Sequence, residues 1–347
     1  MVTIAGRQVS AGHKVLIIAE AGVNHNGDVG LAKHLVDTAV EAGADAVKFQ
    51  TFKADRLVSV AAPKAEYQRQ TTDASESQHE MLRCLELSPQ AHRQLQIYCQ
   101  ERGILFISTP FDEESVNLLD ELDVPLFKIG SGEVTNWPFL EYVARKGKPI
   151  ILSTGMAYLS EVDEAVRVIR DAGCDQLVLL HCLSNYPAKL VDVNLRAMQT
   201  MAAAFQVPVG YSDHTLGIEV AVAAVALGAC VIEKHFTLDK RLPGPDQQAS
   251  LEPQELRALV AKVRMIESAL GKGIKRPAPS EVDSRKVVRR SLAAAQEIPA
   301  RTVLKAGMLR ALRPATGISP TLLSEIIGRR VKRSLAMGEL IAWQDLE

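Results

Sequence analysis

Eight short apolar runs, several of them rich in Val and Ile, constrain this chain more than any other feature: Val15 to Ala19, Ala46 to Phe49, Ile104 to Ser108, Leu126 to Ile129, Ile150 to Ser153, Leu177 to Leu180, Val207 to Tyr211 and Cys230 to Ile232. Segments of helical period separate them. Leu31 to Ala42, Pro89 to Arg102, Glu161 to Ala172 and Pro253 to Leu270 space their apolar residues three and four apart, and Ile218 to Leu227 is long enough for a helix that returns one strand end beside the next. Strand then helix, eight times, predicts a closed parallel sheet with right-handed crossovers, the (β/α)8 TIM barrel. Ser88 and Ser160, just ahead of two of the helices, are the expected N-caps.

The polar residues fall where such a barrel needs them. Each run gives way at once to ionisable or hydroxyl-bearing side chains: Glu20, Lys48 and Gln50, Thr109, Lys128 with Ser131 and Glu133, Ser153 and Thr154, His181, Ser212 with His214, then Lys234 and His235. In a parallel barrel all strand carboxyl ends share one rim, and that rim carries the active site. His214 and His235, at the tips of adjacent strands, predict a divalent metal site, because neutral imidazole is the commonest protein ligand for such an ion. Lys48 and Lys128 are compact cations suited to a phosphate or carboxylate, and Thr109, Ser131, Ser153 and Ser212 can add hydrogen bonds to the same anion. A Schiff-base lysine is the competing chemistry. His25 lies in a turn with Asn24, Asn26 and Gly27, where ordering the loop is its expected task.

A length of 347 residues suits a large barrel with a small appendage. With 47% hydrophobic and 23% charged residues, no apolar run of membrane-spanning length and no leader-like start, the chain reads as an ordinary cytoplasmic globular protein. Five cysteines without CxxC spacing argue against a disulfide framework and a zinc ribbon. Ser59 to Leu87 is polar and irregular, an insertion expected to contribute to a lid. Gly271 to Ser284 (GKGIKRPAPSEVDS) has the composition of a linker, so the expected domains are 1–270 and 285–347 with 271–284 between. In the tail, strand-like pieces (Leu292 to Ala295, Val303 to Leu304, Leu340 to Ile341) and a helix-like run, Pro320 to Ile327, predict a small mixed domain that buries little surface alone. From Arg285 onward twelve Lys or Arg face five Asp or Glu, against a whole-chain net charge of -1. These basic residues are scattered without interleaved aromatics, which points to docking on the acidic body or steering of an anionic substrate rather than to nucleic acid.

Motifs of some length then carry a resemblance: IAEAGVNHNGD (18 to 28), AVKFQTF (46 to 52), STPFD (108 to 112), FKIGSGE (127 to 133), LSTGMA (152 to 157), LHCLSNYP (180 to 187), GYSDHT (210 to 215), EKHFTLDKRLPGPDQQASLEP (233 to 253) and LRPATGIS (312 to 319). In this order, over nearly the whole chain, they resemble the sialic acid synthase family, whose barrel is followed by an antifreeze-like (SAF) domain. The resemblance implies condensation of phosphoenolpyruvate with the open-chain form of an acylamino sugar, N-acetylmannosamine in the first instance, to a nine-carbon acid. It implies manganese or magnesium on His214 and His235. It assigns Lys48, Thr109, Lys128, Ser131, Ser153 and Ser212 to phosphoenolpyruvate, and Gln50, Ser184, Tyr186 and Asp246 to the surroundings of the sugar, with Glu20 or Glu133 orienting water or moving a proton.

One departure bears on the sugar. N-acetylmannosamine-type synthases carry Asn two residues before the Tyr-Pro of LSNYP, where this chain has Ser184. Relatives that act on a 2,4-diacetamido-6-deoxy sugar and make legionaminic acid vary at this loop, so that substrate is the alternative. The resemblance also implies a domain-swapped homodimer in which Arg313 of the tail reaches the sugar bound by a partner's barrel. A non-catalytic carbohydrate- or ice-binding protein, suggested by the antifreeze-like tail, has no use for a metal site beside a lysine pair.

Overall fold

A hairpin of β1 (Val2–Ile4) and β2 (Arg7–Val9) precedes eight parallel strands, β3 (Leu16–Gly22), β4 (Ala46–Thr51), β5 (Leu105–Pro110), β6 (Phe127–Ile129), β7 (Ile150–Ser153), β8 (Leu177–Cys182), β9 (Val209–Asp213) and β10 (Val231–His235). The computed structural model describes residues 2–73 and 75–347 and divides into two units, one up to Gly271 and one from Lys272. Strand order is β5-β4-β3-β10-β9-β8-β7-β6, and β5 and β6, at the two ends, come side by side and close the ring.

Side chains alternate along a strand, so every second residue points into the barrel. Leu16, Ile18, Ala46, Ile107, Leu126, Ile151, Val178, Leu180 and Val231 form an apolar cluster with Val2, Ile4 and Val9 of the hairpin, which plugs the amino-terminal end. Two residues further along, on six of the eight strands, the same face carries Glu20, Lys48, Thr109, Lys128, Ser153 and Glu233. One parity thus supplies an oily floor and a charged upper layer. The opposite parity, with Ile17, Ala19, Val47 and Phe49, packs against the outer helices. Gly210 occupies an inward position where a Cβ would come 2.5 Å from the Val231 carbonyl oxygen and 2.7 Å from Leu180 Cδ2, so the interior has no room for a side chain there.

The first unit holds α1 (Val29–Ala42), α2 (Ala54–Leu57), α3 (Glu66–Thr71), α4 (Gln78–Leu85), α5 (Pro89–Arg102), α6 (Glu113–Glu121), α7 (Trp137–Ala144), α8 (Leu159–Asp171), α9 (Ala197–Phe205), α10 (Glu219–Ala226) and α11 (Pro253–Leu270). Ser88 caps α5 as expected, its side chain accepting from the Ala91 N–H. Ser160 does not cap: α8 starts one residue earlier, and Glu161 accepts the Tyr158 N–H instead. The stretch 59–87 is not irregular, since α3 and α4 lie within it; helices this short offer too few turns for a legible period. Six of the eight strands also outrun their apolar runs, because the polar residues at their tips keep the ladder. No helix among the described residues is long and apolar enough to cross a membrane.

The second unit contains α12 (Val282–Val288), β11 (Ser291–Ala294), β12 (Leu309–Leu312) and α13 (Leu323–Ile326). Helix α12 crosses the expected boundary between linker and tail, so the purely irregular linker is shorter than 271–284. Strand β12, missed in the sequence, pairs antiparallel with β11, while Leu292, Ile298, Leu304, Ile318, Val331 and Ile341 help fill a separate core.

Lys234 belongs to the outward parity. Its ammonium is buried with Asp213 at 2.8 Å and also donates to the Thr215 carbonyl, away from the rim residues. Removing one partner of a buried pair leaves an uncompensated charge. Asp213→Ala is therefore expected to cost about 3–5 kcal/mol of stability in equilibrium denaturation; a loss under 1 kcal/mol would show that the pair is not what holds β9 to β10.

Candidate active site

Inward parity brings two lysines and two carboxylates into one buried layer. Lys48 Nζ lies 2.8 Å from Glu20 Oε2 and donates to Thr109 Oγ1 at 2.7 Å. Lys128 Nζ donates to Ser153 Oγ at 2.8 Å and to the Ile129 carbonyl at 3.3 Å. Glu233 bridges the two cations, at 3.9 Å from Lys48 and 3.4 Å from Lys128, and accepts from Ser212 Oγ at 3.0 Å. All four charged residues are at most 5% exposed. Glu233 was not singled out in the sequence, although it shares a face with His235 two residues on, and that spacing was the available signal.

The two carboxylates are held differently. Burial, reinforced by the charge of Glu233, pushes Glu20 up to about 7 against the pull of Lys48. Burial also opposes the charge on Glu233, but Lys128 and Lys48 together outweigh it and keep this carboxyl below its ordinary range. At neutral pH Glu20 thus exchanges a proton readily while Glu233 is a fixed anion. Burial raises Asp246 to about 6, with Lys48 opposing. A site that can add or remove protons near neutrality and holds two cations suits an anionic substrate.

His214 and His235 stand at one edge of this layer, their ring centroids 5.6 Å apart. The Leu183 carbonyl accepts from His214 Nδ1 at 2.7 Å, which leaves Nε2 as the lone-pair nitrogen. Burial lowers His214 to about 4 and His235 well below its ordinary value, so both imidazoles are neutral. His235 Nδ1 is buried without a hydrogen-bond partner. Neutral rings, one with an orphaned buried nitrogen, fit a divalent cation. No group of three or more His, Cys, Asp or Glu suited to a metal occurs among the described residues, so the remaining ligands would be water or substrate.

The sugar-side residues are spread around the same rim. Tyr186 lays its ring 4.1 Å from His214 and edge-on to His235 at 5.6 Å. Gln50 Nε2 approaches Glu20 Oε1 at 3.5 Å. Asn24 donates to the Phe236 carbonyl and to Ser250, while Gln247 donates to the Asn24 carbonyl, which fixes the 237–252 loop that carries Asp246. Ser131 Oγ accepts the Gly155 N–H at 2.9 Å and touches Cys182 Sγ at 3.1 Å, which fixes the hydroxyl at the end of β6. Ser184 lies over Gly155, where an added Cβ would sit 2.3 Å from its Oγ. Glu133 lies in the 3-10 turn after β6, accepting from Asn136 at 2.7 Å, and is not among the ion-pair partners of the two lysines. His25 is buried, with Nδ1 accepting the Gly27 N–H, as a loop-ordering residue would. His181 points outward and donates to the Val193 carbonyl. Arg313 lies in the second unit, in the turn after β12, and is exposed.

A barrel whose rim sets buried lysines among carboxylates beside two neutral histidines defines an enzyme for an anionic substrate and an oxygen-rich partner. Residues 35–275 match the NeuB family and residues 289–347 the SAF domain, and the chain belongs to that family. These are nonulosonic acid synthases, which condense phosphoenolpyruvate with an acylamino sugar. Two similar relatives are both named N,N'-diacetyllegionaminic acid synthase. The one from Legionella pneumophila is 51% identical over 95% of this chain and 94% of its own length, and the one from Campylobacter jejuni 51% over 94% and 99%. Among solved structures, the N-acetylneuraminic acid (sialic acid) synthetase of Leptospira borgpetersenii, determined in complex with citrate, matches with a TM-score of 0.73 and 36% identity over 82% of this chain and 94% of that one.

Proposed function

We propose that the protein condenses phosphoenolpyruvate with 2,4-diacetamido-2,4,6-trideoxymannose and water, giving N,N'-diacetyllegionaminate and phosphate. The observation that carries the choice of sugar is the 51% identity to two synthases of that name, against 36% to a structure named for N-acetylneuraminic acid. Ser184, where N-acetylmannosamine-type synthases carry Asn, departs from that substrate's pattern without itself selecting another. The identities thus favour the alternative drawn from the sequence over N-acetylmannosamine.

Lys48 and Lys128 hold the phosphate and carboxylate of phosphoenolpyruvate, with Thr109 and Ser153, now bonded to those ammonium groups, close enough to share the anion. Carbon 3 attacks the sugar aldehyde, forming the new carbon–carbon bond. Water adds at carbon 2, and the tetrahedral centre expels phosphate with cleavage of the carbon–oxygen bond. Glu20, poised near neutrality, accepts the proton of that water; Glu233 stays ionised and fixes both lysines. Asp246 and Tyr186 border the sugar. His214 and His235 would hold manganese or magnesium, which when bound supplies Lewis-acid polarisation of the aldehyde oxygen.

The test is phosphate release from phosphoenolpyruvate with each sugar in turn. A kcat/KM at least tenfold higher for the diacetamido sugar is expected, and a preference for N-acetylmannosamine refutes the choice. Ser184→Asn, whose longer side chain has to turn away from Gly155, is expected to lower kcat/KM for the diacetamido sugar about tenfold, the scale of one misplaced small group.

The proposal extends to a homodimer whose tail completes a partner's site. Ile274, Val282, Val287 and Val288 of the connecting segment and α12 are exposed, as a segment that lies on a second copy would leave them, and Arg313 has no ion-pair partner among the described residues. Mixing inactive His235→Ala with inactive Arg313→Ala under subunit exchange is expected to restore activity, because one barrel is intact and receives an intact arginine. Demonstrated exchange without recovery would show that the site is not shared.

A further inference from the structure

The insertion after β4 is built around a buried lysine that takes no part in the steps above. The Lys64 side chain is 1% exposed, and its ammonium meets three acceptors: Thr72 Oγ1 at 2.8 Å, the Asp73 carbonyl at 2.6 Å and Glu76 Oε1 at 2.6 Å. An ammonium carries three donors, and withdrawing it from water is costly unless all are met, so the segment is folded around it. Gln68 fixes the start of α3, its Oε1 accepting from the Ala65 N–H at 3.0 Å and from Gln78 Nε2 at 3.3 Å.

What this bracing presents to the site is one ring. Tyr67, on the first turn of α3, lies with its centroid 5.1 Å from that of Tyr186 at an interplanar angle of 33°. Tyr186 in turn lies over His214, so the rings form a row from the insertion to the strand tips. Thr71 Oγ1 donates to the Pro245 carbonyl at 3.3 Å, tying α3 to the loop that holds Asp246. Tyr67 is partly buried and keeps some of its surface accessible beside Tyr186.

We propose that Tyr67 is a specificity-determining residue, which with Tyr186 forms the apolar wall that receives the methyl-bearing end of the sugar. Aromatic faces take up C–H and methyl groups while their rims tolerate polar neighbours. The 6-deoxy carbon and an acetamido methyl suit that wall; a hydroxymethyl group and a free hydroxyl in their place lose the contact and some of their hydration. The assignment rests on the diacetamido sugar being the substrate, and no hydrogen bond joins Tyr67 to either anion-holding lysine among the described residues.

The experiment measures KM and kcat for phosphoenolpyruvate, the diacetamido sugar and N-acetylmannosamine in the wild type, Tyr67→Ala, Tyr67→Phe and Lys64→Met, with thermal unfolding of each. Tyr67→Ala is expected to cut the preference for the diacetamido sugar by about tenfold or more, the scale at which small apolar groups are discriminated. The change is expected in the KM of that sugar, with the KM of phosphoenolpyruvate within about twofold of wild type. Tyr67→Phe retains the preference, and Lys64→Met loses it as Tyr67→Ala does. If the wild type prefers the diacetamido sugar and Tyr67→Ala leaves the ratio unchanged, the role of Tyr67 is overturned and the substrate reading stands. If the KM values of both substrates rise together, Tyr67 is structural only and the proposal fails. If the wild type prefers N-acetylmannosamine, the substrate reading and this assignment fall together.

Discussion

Lys128→Ala is expected to raise the Michaelis constant for phosphoenolpyruvate by about 10- to 100-fold while leaving that of the sugar within about twofold, since a hydrogen bond to a charged group contributes ~1.5–3 kcal/mol. The lysine is buried, and Ser153 and the Ile129 carbonyl already orient its ammonium, so the anion meets a cation that needs no further ordering. Lys48→Ala is expected to act in the same direction with a larger loss of turnover. It removes the partner of Glu20 as well as an anion contact, and an unpaired Glu20 beside Glu233 keeps its proton more firmly. Steady-state kinetics with each substrate varied at saturating levels of the other separates the two effects. An equal rise in both Michaelis constants for Lys128→Ala would mean that the lysine shapes the site without holding the anion.

Metal removal is the second large effect. With both imidazoles neutral and His235 Nδ1 unpartnered, apo protein is expected to bind manganese in equilibrium dialysis, and His235→Ala to lose that binding without a drop in melting temperature. Chelation is expected to lower turnover about 10³-fold, equivalent to ~4 kcal/mol of transition-state stabilisation, and added manganese to restore it. Full activity in chelator, or unchanged manganese binding by His235→Ala, would remove the two histidines from this role. The binding measurement stands without any catalytic assay, so a mutant inactive for other reasons does not confuse it.

The barrel was legible because its signal is repeated: strand, helix and polar strand end recur eight times, and a period of two in the strands needs only three or four residues to show. The same period identifies the rim residues, since Glu20, Lys48, Lys128 and Ser153 each follow an inward apolar residue by two. Glu233 escaped notice because Lys234 beside it is the more conspicuous charge, and only the parity of β10 tells which of the two faces the site. Lys234 and Asp213 then answer each other on the outer face. Ser131 and Glu133 sit at the right strand end, but on a turn, where no alternation governs direction; the Ser131 hydroxyl accepts from Gly155 and the Glu133 carboxylate from Asn136. Helices α3 and α4 were illegible for a different reason. They are stabilised by contacts such as those of Lys64, which join residues 8 to 12 apart and leave no periodic trace.

The most direct test of the condensing role uses phosphoenolpyruvate labelled with oxygen-18 in the bridge between carbon 2 and phosphorus, incubated with the enzyme, manganese and 2,4-diacetamido-2,4,6-trideoxymannose. Carbon–oxygen cleavage predicts one phosphate per nine-carbon acid formed, with the label in the phosphate and none in the acid. Label retained in the acid, or phosphate released at the same rate without sugar, would contradict it.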